Sequence, residues 1–462
     1  MSRDAARPSH IPVRAGENLE LAIERMADGP DGFARKGGYA LLVEGGLPGE
    51  RVLAKVTSAA RRFGRARVVE VLSPSPDRVE PPCRHFADCG GCQWQHASLP
   101  AQRAWKRERL RSALAHALGD AAIEVGPCLF PAAGRRHKIA LHLRNRGREL
   151  QPCLHRRRSL DLVEILECPA CDEEGLSLAF AAVDELSRLG EPAFDPERGG
   201  VLRSVLVRRS ASTGESHVVV VATRRPRGIE RAAERIQAAG ASSVSWNQND
   251  GPPGRLLGRR TFPLAGPRRI VERVAGIDLR ISASSFFQTS PAAASMLVDR
   301  VIAGLQPTAA DSAIDLFCGA GLFTLPLARS CEIALGVEQD EGAISDARES
   351  AAANGVANAE FVRGSALARL RRPLPRVSLA VLDPPRAGCG EEVARSLARL
   401  RVRRVAYVSC EPASLARDLA SFAAQGLVPV SVTPVDMFPH TSHVEAVAIL
   451  ERSRVARGPL AG

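Results

Sequence analysis

The stretch Ala313-Ile314-Asp315-Leu316-Phe317-Cys318-Gly319-Ala320-Gly321 restricts the C-terminal part of this chain to a narrow class of folds. Its first five residues are mostly apolar and read as a buried strand, and the Gly-x-Gly after them predicts a tight turn that opens a helix. That helix should run to Ala328. A second strand, Ile333 to Val337, follows and ends in Glu338, 17 residues past Gly321. Strand, glycine turn, helix, strand and terminal acid make up the nucleotide-binding unit of a doubly wound sheet. The third glycine of a dinucleotide fingerprint is missing, which argues against a pyrophosphate. The pattern suits S-adenosylmethionine. Phe317, Gly319 and Gly321 leave room for the methionyl part, Glu338 can bond both ribose hydroxyls, and the helix start favours a carboxylate.

Farther on, Val405-Ala406-Tyr407-Val408 reads as another buried strand, ending in Ser409-Cys410-Glu411-Pro412 before a helix over Ser414 to Gln425. Open α/β sheets do their chemistry at the C-terminal ends of such strands. Two stretches should converge on Cys410: Asp383-Pro384-Pro385-Arg386-Ala387-Gly388, and Met437-Phe438-Pro439-His440-Thr441-Ser442-His443-Val444-Glu445. A buried structural thiol is the plainer reading of one cysteine. The company of an Asp loop, a His-rich loop and Glu445 favours a nucleophile.

With 462 residues the chain should form two or three domains. A formal charge of +12 points to a polyanionic partner, nucleic acid above all. That signal is discounted because only Lys36, Lys55, Lys106 and Lys138 are lysines among 63 basic residues, a bias that genome composition can produce. Met1 to Gly16 is polar, without a signal-peptide core, and no run is long enough for a membrane span, so a soluble, cytoplasmic protein is expected. Eleven cysteines there are better read as ligands, a nucleophile and buried fillers than as a disulfide framework.

Residues 17 to 72 hold short alternating apolar runs between glycine turns, the pattern of a small β-barrel of oligonucleotide-binding type. Arg61-Arg62-Phe63-Gly64-Arg65-Ala66-Arg67 suits phosphate contacts around a stacking ring. Leu47-Pro48-Gly49-Glu50-Arg51 resembles the signature of the TRAM domain, an RNA-binding barrel. After the linker Ser73-Pro74-Ser75-Pro76 comes Cys83-x5-Cys89-Gly90-Gly91-Cys92, whose glycines let several sulfurs face one centre. Zinc and an iron–sulfur cluster both take thiolates. Spacing does not separate them, and His85 and His96 keep a mixed zinc site open. Cys168 is the first choice of fourth ligand and Cys171 the second. A basic helix from Trp94 to about Gly119 precedes an α+β middle region that extends to about residue 270. Its segments Arg135-Arg136-His137-Lys138 and Arg156-Arg157-Arg158 suit either an RNA path or solvent.

Taken together, Phe286-Phe287-Gln288, Asp315 to Gly321, Asp383 to Gly388, Ser409-Cys410-Glu411-Pro412 and Phe438-Pro439-His440-Thr441 with Glu445 resemble the uracil-C5 RNA methyltransferase family over nearly the whole chain. The resemblance implies a polar tail (1–16), a TRAM-like barrel (17–75), a central α+β domain with an iron–sulfur site (76–270) and a methyltransferase domain with a doubly wound, Rossmann-like sheet (271–462). It implies a monomer that methylates RNA, with 23S rRNA the favoured substrate. The T-loop tRNA enzymes of the family usually lack both barrel and cluster. Two further alternatives are weaker: a cytosine-5 methyltransferase, and a non-catalytic RNA-binding or iron–sulfur protein. By the same resemblance Cys410 is the nucleophile and Glu445 the base. Asp383 and Gln288 bond the uracil edge and also line the cofactor site, and Cys83, Cys89, Cys92 and Cys168 hold a [4Fe–4S] cluster. The chain departs from the family pattern at Glu411, where Asn is usual, at Thr289-Ser290, and at Ser365, where many methyltransferases carry an acid contacting adenine. His440 and His443 are expected to pack the loop that presents Glu445.

Overall fold

A computed structural model describes residues 11–119, 123–132, 134–374 and 376–453. The first ten residues of the expected tail and the end of the methyltransferase region from 454 lie outside the described residues. The chain forms two compact units, one of residues up to 109 together with 439–442, the other of the remainder.

The first unit carries a six-stranded sheet in the order Asn18–Ala22, Arg51–Ala59, Gly64–Ser73, Tyr39–Glu44, Gly32–Lys36, Arg25–Met26. Alternating residues such as Leu19, Leu21, Leu41, Val43, Val52, Ala54 and Val56 point inward and form its core. Period-2 patterning buries one face of each strand, as the sequence predicts. The strands Arg25–Met26 and Gly32–Lys36 are additional to those read from sequence; both are too short or too polar to show alternation. Glu50 of the TRAM signature is buried (1% exposed) and locks the barrel's exit. It accepts from Leu47 N at 2.8 Å, Ser75 N at 3.3 Å, and Arg78 Nε and Nη2 at 2.5 and 2.8 Å. Burial alone would raise its pKa, but the Arg78 pair and the amides outweigh that and hold it low.

The basic helix runs Leu99–Leu118. In the first unit Gln102 donates to Trp94 O and Ala97 O, both at 2.8 Å, and accepts from His440 N at 2.7 Å. His440 has φ +66°, and its carbonyl accepts from Gln93 N and Trp94 N at 2.8 and 2.9 Å. This backbone clasp fits the packing role expected for His440.

The second unit contains a seven-stranded sheet in the order Arg260–Ala265, Ser243–Gln248, Ser216–Ala222, Leu202–Arg209, Lys138–Arg146, Glu149–His155, Leu162–Glu164. Helices Glu173–Ser187 and Ile229–Ala238 cover one face through Leu176, Ala179, Val183, Ile229 and Ile236. A hairpin, Arg269–Val274 with Ile277–Ser282, and helix Pro291–Leu305 follow.

The last sheet positions the chemistry. Its strands are β1 (Ser312–Leu316), β2 (Ile333–Glu338), β3 (Ala359–Arg363), β4 (Leu379–Leu382), β5 (Arg404–Ser409), β6 (Leu427–Val435) and β7 (Glu445–Arg452), in the spatial order 3-2-1-4-5-7-6. β7 is antiparallel to both neighbours. Val405, Ala406, Tyr407 and Val408 are each 0% exposed, so β5 is buried on both faces. A one-residue slip would rearrange all of these contacts, and each large apolar side chain contributes about 1.5–3 kcal/mol on burial. Strand order reverses between β1 and β4, so the loops after those two strands part and leave a crevice at the sheet's C-terminal edge.

Candidate active site

The crevice is built from strand ends. β1 carries the buried Asp315 and ends in Phe317, whose φ of +70° puts a non-glycine residue in the left-handed region. The amides of Phe317 and Cys318 both donate to Val337 O of β2, at 2.9 and 3.1 Å, which anchors this bend. Gly319 also has positive φ, and a Cβ added there would meet nothing within 4 Å, so the turn faces open space. Glu338, at the end of β2, accepts from Gly319 N at 3.3 Å and Asp340 N at 2.9 Å. Asp315 Oδ2 accepts from Thr324 Oγ1 at 2.6 Å, while its buried Oδ1 has no partner. Burial first, with Glu338's charge adding to it against the opposing Thr324 bonds, pushes Asp315 up to about 7. An open glycine turn, an acid at the next strand end and an orphaned buried carboxylate oxygen fit the adenosyl and methionyl parts of S-adenosylmethionine. Ser365 caps helix Ala366–Leu370 by accepting from Ala368 N at 3.2 Å, which gives it a structural role at the position of the adenine-contacting acid.

The thiol end is set by register. β5 pairs with β7 as Val408↔Val447 and Ser409↔Ala446, so one further step brings Cys410 opposite Glu445. β5 also pairs with β4 as Leu382↔Tyr407, and β4 with β1 as Leu316↔Leu382, which sets Asp383 at the adjoining strand end. Gln288, in the loop before helix Pro291–Leu305, donates from Nε2 to Asp383 Oδ2 at 3.4 Å. The four side chains Gln288, Asp383, Cys410 and Glu445, far apart in sequence, thus gather at one edge. Glu411, the family departure, is the N-cap residue of helix Pro412–Ala424, and no side-chain cap bond forms there.

The loop after β4 is tied down from outside. Asp418 Oδ2 accepts from Tyr407 Oη at 2.6 Å and Cys389 N at 2.7 Å, and Arg417 Nη2 donates to Ala387 O at 2.5 Å. Gly388 has φ +85°, and a Cβ there would meet Asp418 Oδ2 at 2.3 Å, so only glycine fits. Cys318 is buried in the core beside the glycine turn, and Cys389 packs partly buried against the core.

Charge is unevenly distributed. Burial, then the charge of Glu445, pushes Cys410 up to about 11; Asp383 adds to this and Arg386 opposes it. Burial likewise lifts Glu445 to about 7, again against Arg386. Asp383 is driven well up by burial and by its neighbours Glu445 and Asp315. Arg386 is the exposed cation whose field favours both a Cys410 thiolate and a Glu445 carboxylate. Sequence leaves Arg386 open between contacting a substrate phosphate and holding the Asp383 loop; its field on Cys410 and Glu445 is legible only in the structure.

Three cysteines of the expected cluster, Cys83, Cys89 and Cys92, belong to the first unit, and Cys168 and Cys171 to the second. Among the described residues no three His, Cys, Asp or Glu side chains form a group able to hold a metal ion. The donor chemistry nonetheless suits thiolate ligation. Gly91 N donates to Cys89 Sγ at 3.4 Å, and the sulfurs of Cys168 and Cys171 lie 3.4 Å apart. The Cys171 hydrogen bond is the main cause that draws Cys168 down to about 6. Also among the described residues, no helix is long and apolar enough to cross a membrane.

Known proteins fit this geometry. Residues 272–453 match the family model described as tRNA (Uracil-5-)-methyltransferase, and residues 12–69 match the TRAM domain. An uncharacterized RNA methyltransferase of Halalkalibacterium halodurans is 35% identical over 458 residues, covering 95% of this chain and 98% of the relative. One from Chlorobaculum tepidum is 33% identical over 473 residues, covering 96% and 98%. The Pyrococcus abyssi tRNA (uracil-54, C5)-methyltransferase in complex with S-adenosyl-L-homocysteine is 26% identical, with a TM-score of 0.73 over 93% of this chain and 99% of that one. With its barrel, its 3-2-1-4-5-7-6 sheet and relatives matched end to end, the chain belongs to the RNA (uracil-5)-methyltransferase family.

Proposed function

We propose that this enzyme methylates carbon 5 of a uridine in 23S rRNA through a transient bond between Cys410 and carbon 6. The observation that carries the reading is the β5–β7 register, which sets Cys410 opposite Glu445 beside the Gln288–Asp383 pair.

Carbon 5 of uracil is too weak a nucleophile to accept a methyl group unaided. The Cys410 proton leaves to solvent, favoured by the field of Arg386, and the sulfur adds to carbon 6, making carbon 5 an enolate carbon. The Gly319 turn, Glu338 and Asp315 would hold S-adenosylmethionine, whose methylsulfonium would supply the methyl group and leave as the thioether S-adenosylhomocysteine. Carbon 5 then bears both methyl and hydrogen. Glu445 removes that hydrogen as a proton, the 5,6 double bond re-forms, and the Cys410 sulfur is expelled. A base with pKa near 7 is half ionised at neutral pH, which suits a group that must take a proton and release it each cycle. Gln288 and Asp383 recognise the uracil edge; burial and the charges of Glu445 and Asp315 raise the Asp383 carboxyl, which favours the form able to donate to a carbonyl. The uridine must leave any stack to reach a thiol at the crevice floor.

The choice of 23S rRNA rests on the resemblance of the cysteine run to the cluster-bearing branch; the Pyrococcus abyssi neighbour favours tRNA instead. Mapping 5-methyluridine in RNA from a strain lacking the gene decides between them. The mark should vanish from 23S rRNA and persist in tRNA; the converse would assign the tRNA reading. The cluster, with Cys83, Cys89, Cys92 and Cys168 as ligands, is proposed on the same resemblance. Anaerobically purified protein should be brown and hold about four irons per chain. Tightly bound zinc in their place would overturn it.

A further inference from the structure

One feature of the central sheet is unexplained by the steps above. Lys138 opens the strand Lys138–Arg146, and its partner across the antiparallel pair is Arg208. Directly opposed residues share a face, so both cations lie on the side away from helices Glu173–Ser187 and Ile229–Ala238. The loop leading to Gln288 passes over this side. Ala283 packs on it with Leu206 and Val219, Arg208 Nη2 donates to Ser285 O at 2.7 Å, and His137 N donates to Thr289 O at 2.9 Å. The segment between Ser285 and Thr289, including Gln288, therefore runs past Lys138.

Two adjacent cations in a partly buried place need counter-charge; Asp346 and Glu272 supply some to Arg208 while bonded elsewhere, and neither offsets the charge of Lys138. Asp346 holds Arg269 at 2.6 Å, with Ser282 and Ser285. Glu272 accepts from the amides of Ala211 and Ser212, and Asp172 from Gly175 N beside Arg209. Among the described residues the Lys138 ammonium makes no hydrogen bond or ion pair, and Arg208 Nη1 is buried without a partner. Burial, then the charge of Arg208, lowers Lys138 to about 8. Its charge is therefore a full penalty to folding below about pH 8 and is relieved only as pH rises towards 10.5. A charge that the fold itself does not stabilise is the mark of a ligand-directed group.

We propose that Lys138, backed by Arg208, receives one phosphate of the substrate RNA beside the loop that carries Gln288. This rests on the RNA methyltransferase reading above. A phosphate there would anchor the backbone next to the flipped uridine, so the contact would position rather than read sequence.

The test is binding of a 23S rRNA fragment to the full chain across a salt series, for wild type, Lys138→Met and Lys138→Arg. Lys138→Met should reduce the slope of log K against log[salt] by about 0.7–0.9, the value for one lost phosphate contact. Lys138→Arg should retain the wild-type slope. S-adenosylmethionine affinity should be unchanged in both, and the melting temperature of Lys138→Met should be equal to or above wild type. An unchanged slope overturns the proposal. So does a fall in S-adenosylmethionine affinity, which would assign the cations to the methionine carboxylate, or a lowered melting temperature, which would make Lys138 structural. Wild type that binds and methylates no RNA would instead remove the functional reading on which the site depends.

Discussion

Replacing Cys410 with alanine lowers methylation by at least about a thousandfold while leaving S-adenosylmethionine and RNA affinity within a fewfold of wild type. The asymmetry follows from where Cys410 sits. The groups proposed to hold the cofactor, Gly319, Glu338 and Asp315, belong to β1, β2 and the turn between them, and none bonds to Cys410. Removing the sulfur leaves that turn and the Gln288–Asp383 pair intact. What disappears is the only step that makes carbon 5 nucleophilic. The substitution removes a half-buried thiol whose pKa is raised, so it deletes no buried charge, and folding should be little affected. Turnover above about a thousandth of wild type would contradict covalent catalysis.

Glu445→Gln should stall the reaction one step later. The amide is close to isosteric and sits in the same β7 position, but it cannot accept the carbon 5 proton. The methylated ring then stays bonded to Cys410, and a protein–RNA band resistant to denaturant accumulates. The pH dependence agrees in sign. Burial raises Glu445 to about 7, so the working carboxylate fraction falls as pH drops below that value. Breakdown of the adduct in wild type should therefore speed up from pH 6 to pH 8, and Glu445→Gln should lose that dependence. A variant that turns over without any adduct would remove Glu445 from the role of base.

The sequence foretold individual elements far better than their meetings. β1, β2 and β5 were legible because runs such as Val405 to Val408 are apolar on both faces, the mark of a central parallel strand. The glycine turn and Glu338 followed from local chain geometry. The meeting of Cys410 and Glu445 was expected from the company of their two stretches and from family likeness, without the register that produces it. Nothing local reveals that the final strand turns back and inserts between β5 and β6, and that topology alone brings residue 445 opposite residue 410. Long-range contacts also settled residues that local reading left open. Glu50 closes the barrel on Arg78, Ser365 caps a short helix, and Lys138 meets Arg208 across strands separated by a whole helix and a strand pair. A lysine in an arginine-rich run looks like a solvated charge until its strand partner proves to be a second cation.

The most direct measurement is the site of attachment in the Glu445→Gln protein–RNA adduct, read by nuclease and protease digestion followed by tandem mass spectrometry. The account predicts a 5-methyluracil nucleotide bonded through carbon 6 to Cys410 and to no other of the eleven cysteines. Attachment at another residue, or a 5-methyluridine product formed with no covalent species on the path, would contradict it.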